Sequence, residues 1–99
     1  PRVLVSTTVQ VAYGTELARL APLLADAVSQ VPRVLRDPGP VVQLSSFAAD
    51  GLELSVNFWI VDPENGIGGA RSDVNLAILA CLEREGVEIP FPQRVVRSA

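Results

Sequence analysis

The residues that could do chemistry are few. The chain has no histidine and a single cysteine, Cys81. A Ser-His-Asp triad, a Cys-His pair and a His-ligated metal site are therefore excluded within it. One thiol makes neither an internal disulfide nor a cysteine-cluster metal site. Three carboxylates, Glu83, Glu85 and Glu88, fall close together. General acid-base work needs two carboxylates held across a cleft with separated pKa values. Three near one helix end read instead as a solvated surface. Tyr13-Gly14-Thr15-Glu16 forms a strand-to-helix junction whose free N–H groups could hold an anion. A dinucleotide fingerprint needs three glycines, and a P-loop needs Gly-Lys-Ser/Thr. The junction has one glycine and the chain no lysine, so a helix cap after a turn accounts for it. No catalytic residue, no cofactor and no metal is assigned.

The elements that must position any site follow from patterning. The chain's 99 residues fit one domain, 1–99. Hydrophobic residues are 48% and charged residues 19%, a composition that buries a core. The net charge of -3 argues against a nucleic-acid or anionic-membrane binder. No apolar run reaches the roughly 20 residues needed to span a bilayer. The sequence starts at Pro1 with no signal-peptide pattern, and reads as a piece of a longer protein. Arg2 to Tyr13 alternates with period two, so a long strand is expected. A helix is expected from Thr15 to Gln30 on Leu17, Leu20, Leu24, Ala27, Val28 and Val31, with Pro22 as a defect. The proline-rich 32–40 reads as a semi-rigid connector. Val41–Phe47 and Leu52–Ile60 read as strands joined at Asp50-Gly51. A second helix is expected with Ser72 as N-cap, a stripe of Val74, Ala77, Ile78, Cys81 and Leu82 widened by Leu76, Leu79 and Ala80, and Gly86 as its stop. A last extended segment starts at Val87 and runs to Arg97.

That order is β-α-β-β-α-β. Right-handed crossovers put both helices on one face of an antiparallel sheet, the ferredoxin-like arrangement of the α+β class. The fold licenses no function alone. Acylphosphatases share it, but they want an Arg in a glycine-rich cradle after the first strand. Tyr13 to Leu17 carries none; Arg19 lies in the helix and Asn57 in a strand. A soluble regulatory module of this fold, binding a small ligand, is the alternative reading.

Two features point toward contacts with other chains. Trp59 falls on the polar face of its strand, beside Val61. Alternation turns it away from the core, toward an interface or under the loop from Ile67 onward. Ile89-Pro90-Phe91-Pro92-Gln93-Arg94 sets two prolines around an aromatic. Proline cannot donate to a ladder, so this stretch is an edge or an exit from the sheet.

Ser72-Asp73-Val74-Asn75-Leu76-Ala77-Ile78, then Glu85-Gly86-Val87-Glu88-Ile89-Pro90-Phe91-Pro92-Gln93-Arg94, closely resembles the C-terminal signature of small-conductance mechanosensitive channels, the MscS family. Val9-Gln10-Val11-Ala12-Tyr13-Gly14-Thr15, Pro32-Arg33-Val34-Leu35 and Phe58-Trp59-Ile60-Val61-Asp62-Pro63 look similar in the same order. The resemblance implies a cytoplasmic α/β domain of a channel in the inner (plasma) membrane that releases ions and small osmolytes on hypo-osmotic shock. It implies identical subunits as partners, seven around a vestibule, with membrane contact only through helices upstream of this stretch. Residues 90–99 would lead toward a subunit-assembly strand. Trp59, Pro90, Phe91, Pro92, Gln93 and Arg94 are the candidate subunit-interface residues. Many relatives follow the Gln-Arg with an acidic residue and, two further on, a His; here Val95 and Arg97 stand in those places, and the subunit-assembly strand is expected to be incomplete.

Overall fold

A computed structural model describes residues 2–90. Its centre is the strand with the most regular alternation. β3 (Leu52–Ile60) buries Leu52, Leu54, Val56, Phe58 and Ile60 and leaves the residues between them half-buried. β1 (Val3–Val11) pairs with it antiparallel from Val3↔Ile60 to Val11↔Leu52. β2 (Val41–Phe47) pairs antiparallel on the other side, giving the order β1-β3-β2. A bulge between Leu44 and Ser46 interrupts that second ladder. The Ser45 hydroxyl lies 3.1 Å from both the backbone carbonyl and the carboxylate of Glu53.

Two helices cover one face of this sheet. α1 (Leu17–Ser29) buries Leu20, Leu24 and Val28, and α2 (Ile67–Arg84) buries Ala70, Val74, Ile78, Cys81 and Leu82. These residues form one core cluster with the inward side of β1 and β3. Each fully buried aliphatic or aromatic side chain contributes about 1.5–3 kcal/mol relative to exposure. The α+β class and the two-helices-on-one-face arrangement expected from the sequence are present.

The boundaries differ in instructive ways. α1 starts at Leu17 and not at Thr15, because the Thr15 hydroxyl donates to the Ala12 carbonyl 2.7 Å away and closes the turn instead of capping the helix. Pro22 sits on the exposed side of α1, and the buried stripe opposite holds the helix through it. α2 begins at Ile67, so Ser72 is interior to the helix and caps nothing. Ala70, four residues before Val74, carries the buried stripe back to the residue just after Gly68 and Gly69, and packing at that turn overrides their low helix propensity. Leu76 and Leu79 do not widen that stripe: they are 61% and 42% exposed. Gly86 does stop α2. Its φ of 68° is left-handed, and the Gly86 and Val87 N–H groups donate to the Glu83 and Leu82 carbonyls, a Schellman closure. Residues 87–90 form no ladder; one backbone bond, Ala12 N–H to the Glu88 carbonyl at 2.9 Å, ties them to the end of β1. The remainder of the expected last strand lies outside the described residues.

Two local devices fix how the pieces meet. The connector after α1 is anchored by Arg33, whose Nε donates to both Asp62 carboxylate oxygens at 3.0 and 2.9 Å. Its Nη2 donates to the Asp62 carbonyl at 3.0 Å. This fork ties the stretch beyond α1 to the exit from β3 just before the Pro63–Asn65 turn of 3-10 helix. Burial pushes the Asp62 carboxyl upward, but hydrogen bonds from Arg33 and Asn65 and the Arg33 charge outweigh it and hold the carboxyl below its ordinary value. At the opposite end of the sheet, Gly51 allows a close backbone approach. A Cβ there would lie 2.5 Å from the Val11 carbonyl oxygen and 2.7 Å from Pro90 Cγ.

Gly51→Ala is therefore expected to destabilise the domain by about 1–3 kcal/mol in urea unfolding, because the Val11 backbone cannot yield. Gly68→Ala meets nothing within 4 Å and is expected to be neutral or to stabilise by about 0.5–1 kcal/mol. Equal effects at the two sites would remove the close-approach argument. The Asp62 fork generates a pH dependence. A lowered folded-state pKa stabilises above the unfolded value of about 3.9 and is lost as pH falls through the folded value. The stability gap between wild type and Asp62→Asn should be largest near neutrality and close below that range. A gap independent of pH would show that the ion pair carries no folding free energy.

Candidate interaction surface

The face of the sheet turned away from the helices carries a group of apolar side chains that alternation does not explain as core. Leu4 stands directly opposite Trp59 in the β1–β3 ladder. On the other side of β3, the Leu35 N–H donates to the Trp59 carbonyl at 2.8 Å, next to the Val34↔Ile60 bridge. Val5, Val34, Phe58 and Ile60 are buried toward the helices. Leu4, Trp59 and Leu35 consequently point the other way, as a row across the sheet. Val61 extends this row at 55% exposure, and Leu4 is 54% exposed. The Arg2 guanidinium lies over the Trp59 ring, 4.9 Å from its centroid. A stack of this kind contributes about 0.5–1 kcal/mol at an exposed site.

Further along the same face the side chains become polar. Ser6 opposes Asn57, Thr8 opposes Ser55 and Gln10 opposes Glu53, with Gln43 beside Ser55 on β2. The apolar row thus occupies only the end of the sheet where Arg2 lies. Alternation placed Trp59 outward correctly. The loop from Ile67 onward does not cover it, since those residues form α2 on the opposite face, and Arg2 is what lies on the ring. Leu35 and Arg2 escaped the sequence reading. Leu35 sits in the proline-rich connector, where no periodicity reports a facing direction.

The other candidates separate in space or are neutralised. Glu85 accepts a hydrogen bond from Arg19 at 2.6 Å, whereas Glu83 and Glu88 are exposed, so the three carboxylates form no facing pair. The hollow beside Gly14 and Thr15, about 310 Å³, is bordered by Glu16, Arg19 and Glu88. Its one cation is Arg19, already paired with Glu85, which leaves no free charge for an anion. A larger hollow of about 490 Å³ lies between Tyr13, Asp50, Glu88 and Pro90, with carboxylates and no cation among the described residues on its walls. The Tyr13 hydroxyl donates to the Ala48 carbonyl and braces the β2–β3 turn against β1. Cys81 is fully buried, and that burial raises its thiol pKa against the lowering influence of Arg84, so the sulfur stays protonated. Among the described residues, no group of three or more Asp, Glu or Cys side chains could hold a metal ion. Among them, too, no helix is long and apolar enough to cross a membrane. Pro90 lies against Gly51; Phe91, Pro92, Gln93 and Arg94 lie outside the described residues.

Comparison with known proteins agrees with this architecture. An uncharacterized MscS family protein of Archaeoglobus fulgidus is 27% identical over 88 residues, covering 89% of this chain and 30% of that protein. The crystal structure of Helicobacter pylori MscS in its closed state superposes with a TM-score of 0.83 at 18% identity, covering 99% of this chain and 38% of that one. This chain therefore spans less than two fifths of the length of either. Residues 5–89 match the family described as "Mechanosensitive ion channel MscS, C-terminal". With nearly all of the sheet and both helices inside that match, the chain belongs to the MscS family of mechanosensitive ion channels, as its C-terminal domain.

Proposed function

We propose that this domain is the cytoplasmic part of a channel subunit that opens under membrane tension and releases ions and small osmolytes on hypo-osmotic shock. The observation that carries the reading is the family match over residues 5–89, which includes β2, β3, both helices and all of β1 but its first two residues. The surface chemistry supports it. Among the described residues, Glu83, Glu85 and Glu88 form no facing pair, Arg19 is paired with Glu85 and the Cys81 thiol is buried. What the domain offers instead is a rigid sheet whose outer face is uncharged over most of its length. MscS family channels are homo-oligomeric inner-membrane proteins with a cytoplasmic C-terminal domain, so identical subunits are the partners proposed here. Seven copies around a vestibule is the arrangement the resemblance implies. In that assembly the domain supplies subunit contacts and vestibule wall, and the membrane-embedded part of the longer subunit supplies the pore.

In this reading Pro90, Phe91, Pro92, Gln93 and Arg94 lead the chain from the domain toward its neighbours. Pro90 already leaves the sheet beside Gly51, beyond the single Ala12–Glu88 backbone bond.

The full-length subunit, expressed and membrane-inserted in cells lacking mechanosensitive channels, is expected to restore survival after osmotic downshock. Lack of rescue by well-inserted protein would refute the channel reading. Replacing Pro90 and Pro92 together with Ala is expected to loosen assembly of the full-length protein on size-exclusion chromatography, while the isolated domain keeps its melting temperature. The reason is the loss of a fixed φ at each site. A large drop in the isolated domain's melting temperature would make the segment part of the core instead.

A further inference from the structure

The turn between β3 and α2 reads Asp62-Pro63-Glu64-Asn65-Gly66. Asn65 and Gly66 are both exposed, and no residue of the Pro63–Asn65 turn is buried. An asparagine followed by glycine is the pair most open to attack by the backbone on its own side chain, because glycine has no Cβ to shield its nitrogen. Here both reacting groups are tied down. The Gly66 N–H, the nucleophile of such a reaction, donates to the Pro63 carbonyl at 3.0 Å. The Asn65 side-chain amide, which carries the leaving nitrogen, donates to Asp62 Oδ2 at 3.4 Å, and the Asn65 N–H donates to the Asp62 carbonyl at 2.9 Å. Asp62 is itself gripped by Arg33, through Nε on its carboxylate and Nη2 on its carbonyl. One guanidinium from beyond α1 thus holds the residue that holds Asn65.

We infer that Asn65 is a site of spontaneous deamidation and that the Arg33–Asp62 fork sets its rate. When the turn opens, the Gly66 nitrogen gives up its proton and attacks Asn65 Cγ. The new N–C bond closes a five-membered succinimide ring, the Cγ–Nδ2 bond breaks, and Nδ2 leaves as ammonia. Water then adds to either ring carbonyl and opens the ring to aspartate or isoaspartate. Opening is local, since the turn is exposed and buries nothing. The product acts back on the fork. The amide that donated to Asp62 becomes a carboxylate, so two negative groups compete for Arg33. The isoaspartate form also adds a methylene to the main chain just before α2 begins at Ile67. Conversion is one-way, and it loosens the tie between the connector after α1 and the exit from β3. The other sites lack this combination. Asn57 and Asn75 lie inside β3 and α2 and precede Phe58 and Leu76, and the Gly51 that follows Asp50 is buried against the Val11 carbonyl. None of this depends on the channel reading.

The test incubates the purified full-length subunit in detergent at mildly alkaline pH. Peptide mapping follows isoaspartate and the mass gain of about 1 Da that replacing the amide by a carboxyl brings. The expected result is conversion at Asn65 and none at Asn57 or Asn75, slower in the native protein than in urea. Asp62→Ala and Arg33→Gln should each raise the native rate about five-fold by freeing the turn, and leave the rate in urea unchanged. Asn65→Gln, whose longer side chain does not close the five-membered ring, should show no conversion. No conversion in native wild type, over a period in which the urea-unfolded sample converts fully, would overturn the site. A native rate equal to the rate in urea, or unchanged in either fork variant with its circular dichroism intact, would overturn control by the fork.

Discussion

Everything in this domain hangs on the side-chain alternation of β3. Five consecutive inward positions, Leu52, Leu54, Val56, Phe58 and Ile60, are buried, and both neighbouring strands take their register from it. A one-residue slip would turn all five outward and bring Glu53 and Asn57 against the helices. The helices need this strip as much as the strip needs them. Leu20, Leu24 and Val28 of α1 and Val74, Ile78 and Leu82 of α2 join one cluster with that strip and with each other where the helices touch. Truncating Phe58, fully buried at the middle of this contact, belongs to the class of core changes that cost about 3–5 kcal/mol.

With the inward face committed to stability, the outward face and the two ends of the sheet are left for contact. The ends are finished differently. One carries the Arg33–Asp62 fork and the apolar row around Trp59; the other carries the Gly51 close approach, the Tyr13 brace and the departing Pro90. Both sets of contacts brace the strands against the segments that enter and leave them. The fork restrains the stretch between α1 and β2, and the Schellman closure at Gly86 sets the direction in which the chain leaves α2.

Much of this was readable from residue order. β2 and β3 lie where period-two alternation put them, to the residue, and Gly86 ends α2 as a left-handed glycine should. The resemblance carried by the Ser72–Ile78 and Glu85–Arg94 stretches found the family. The start of α2 was not readable, because Gly68 and Gly69 mimic a loop; only the burial of Ala70 in three dimensions shows the stripe continuing. Leu76 and Leu79 are apolar but turned from the stripe: at 3.6 residues per turn Leu76 stands about 200° around α2 from Val74 and Leu79 about 140°, so both face away from the sheet. The surface around Trp59 was half legible. Alternation turned the indole outward, but Leu35 joins it through a single backbone bond from a segment with no period at all, and Arg2 through a contact across strands.

The sheet's topology also sets a folding order. β2 and β3 meet across a short turn, so their ladder closes almost for free in chain entropy. β1 pairs with β3 from Val11 with Leu52 out to Val3 with Ile60, with all of α1 and β2 lying between them in the chain. That long loop costs more chain entropy to close than the β2–β3 turn, so the β1 pairing is expected to follow the β2–β3 ladder. Yet β1 is synthesised first. During synthesis an unpaired, valine-rich strand therefore waits for β3 to emerge, exposed to whatever surface it meets first.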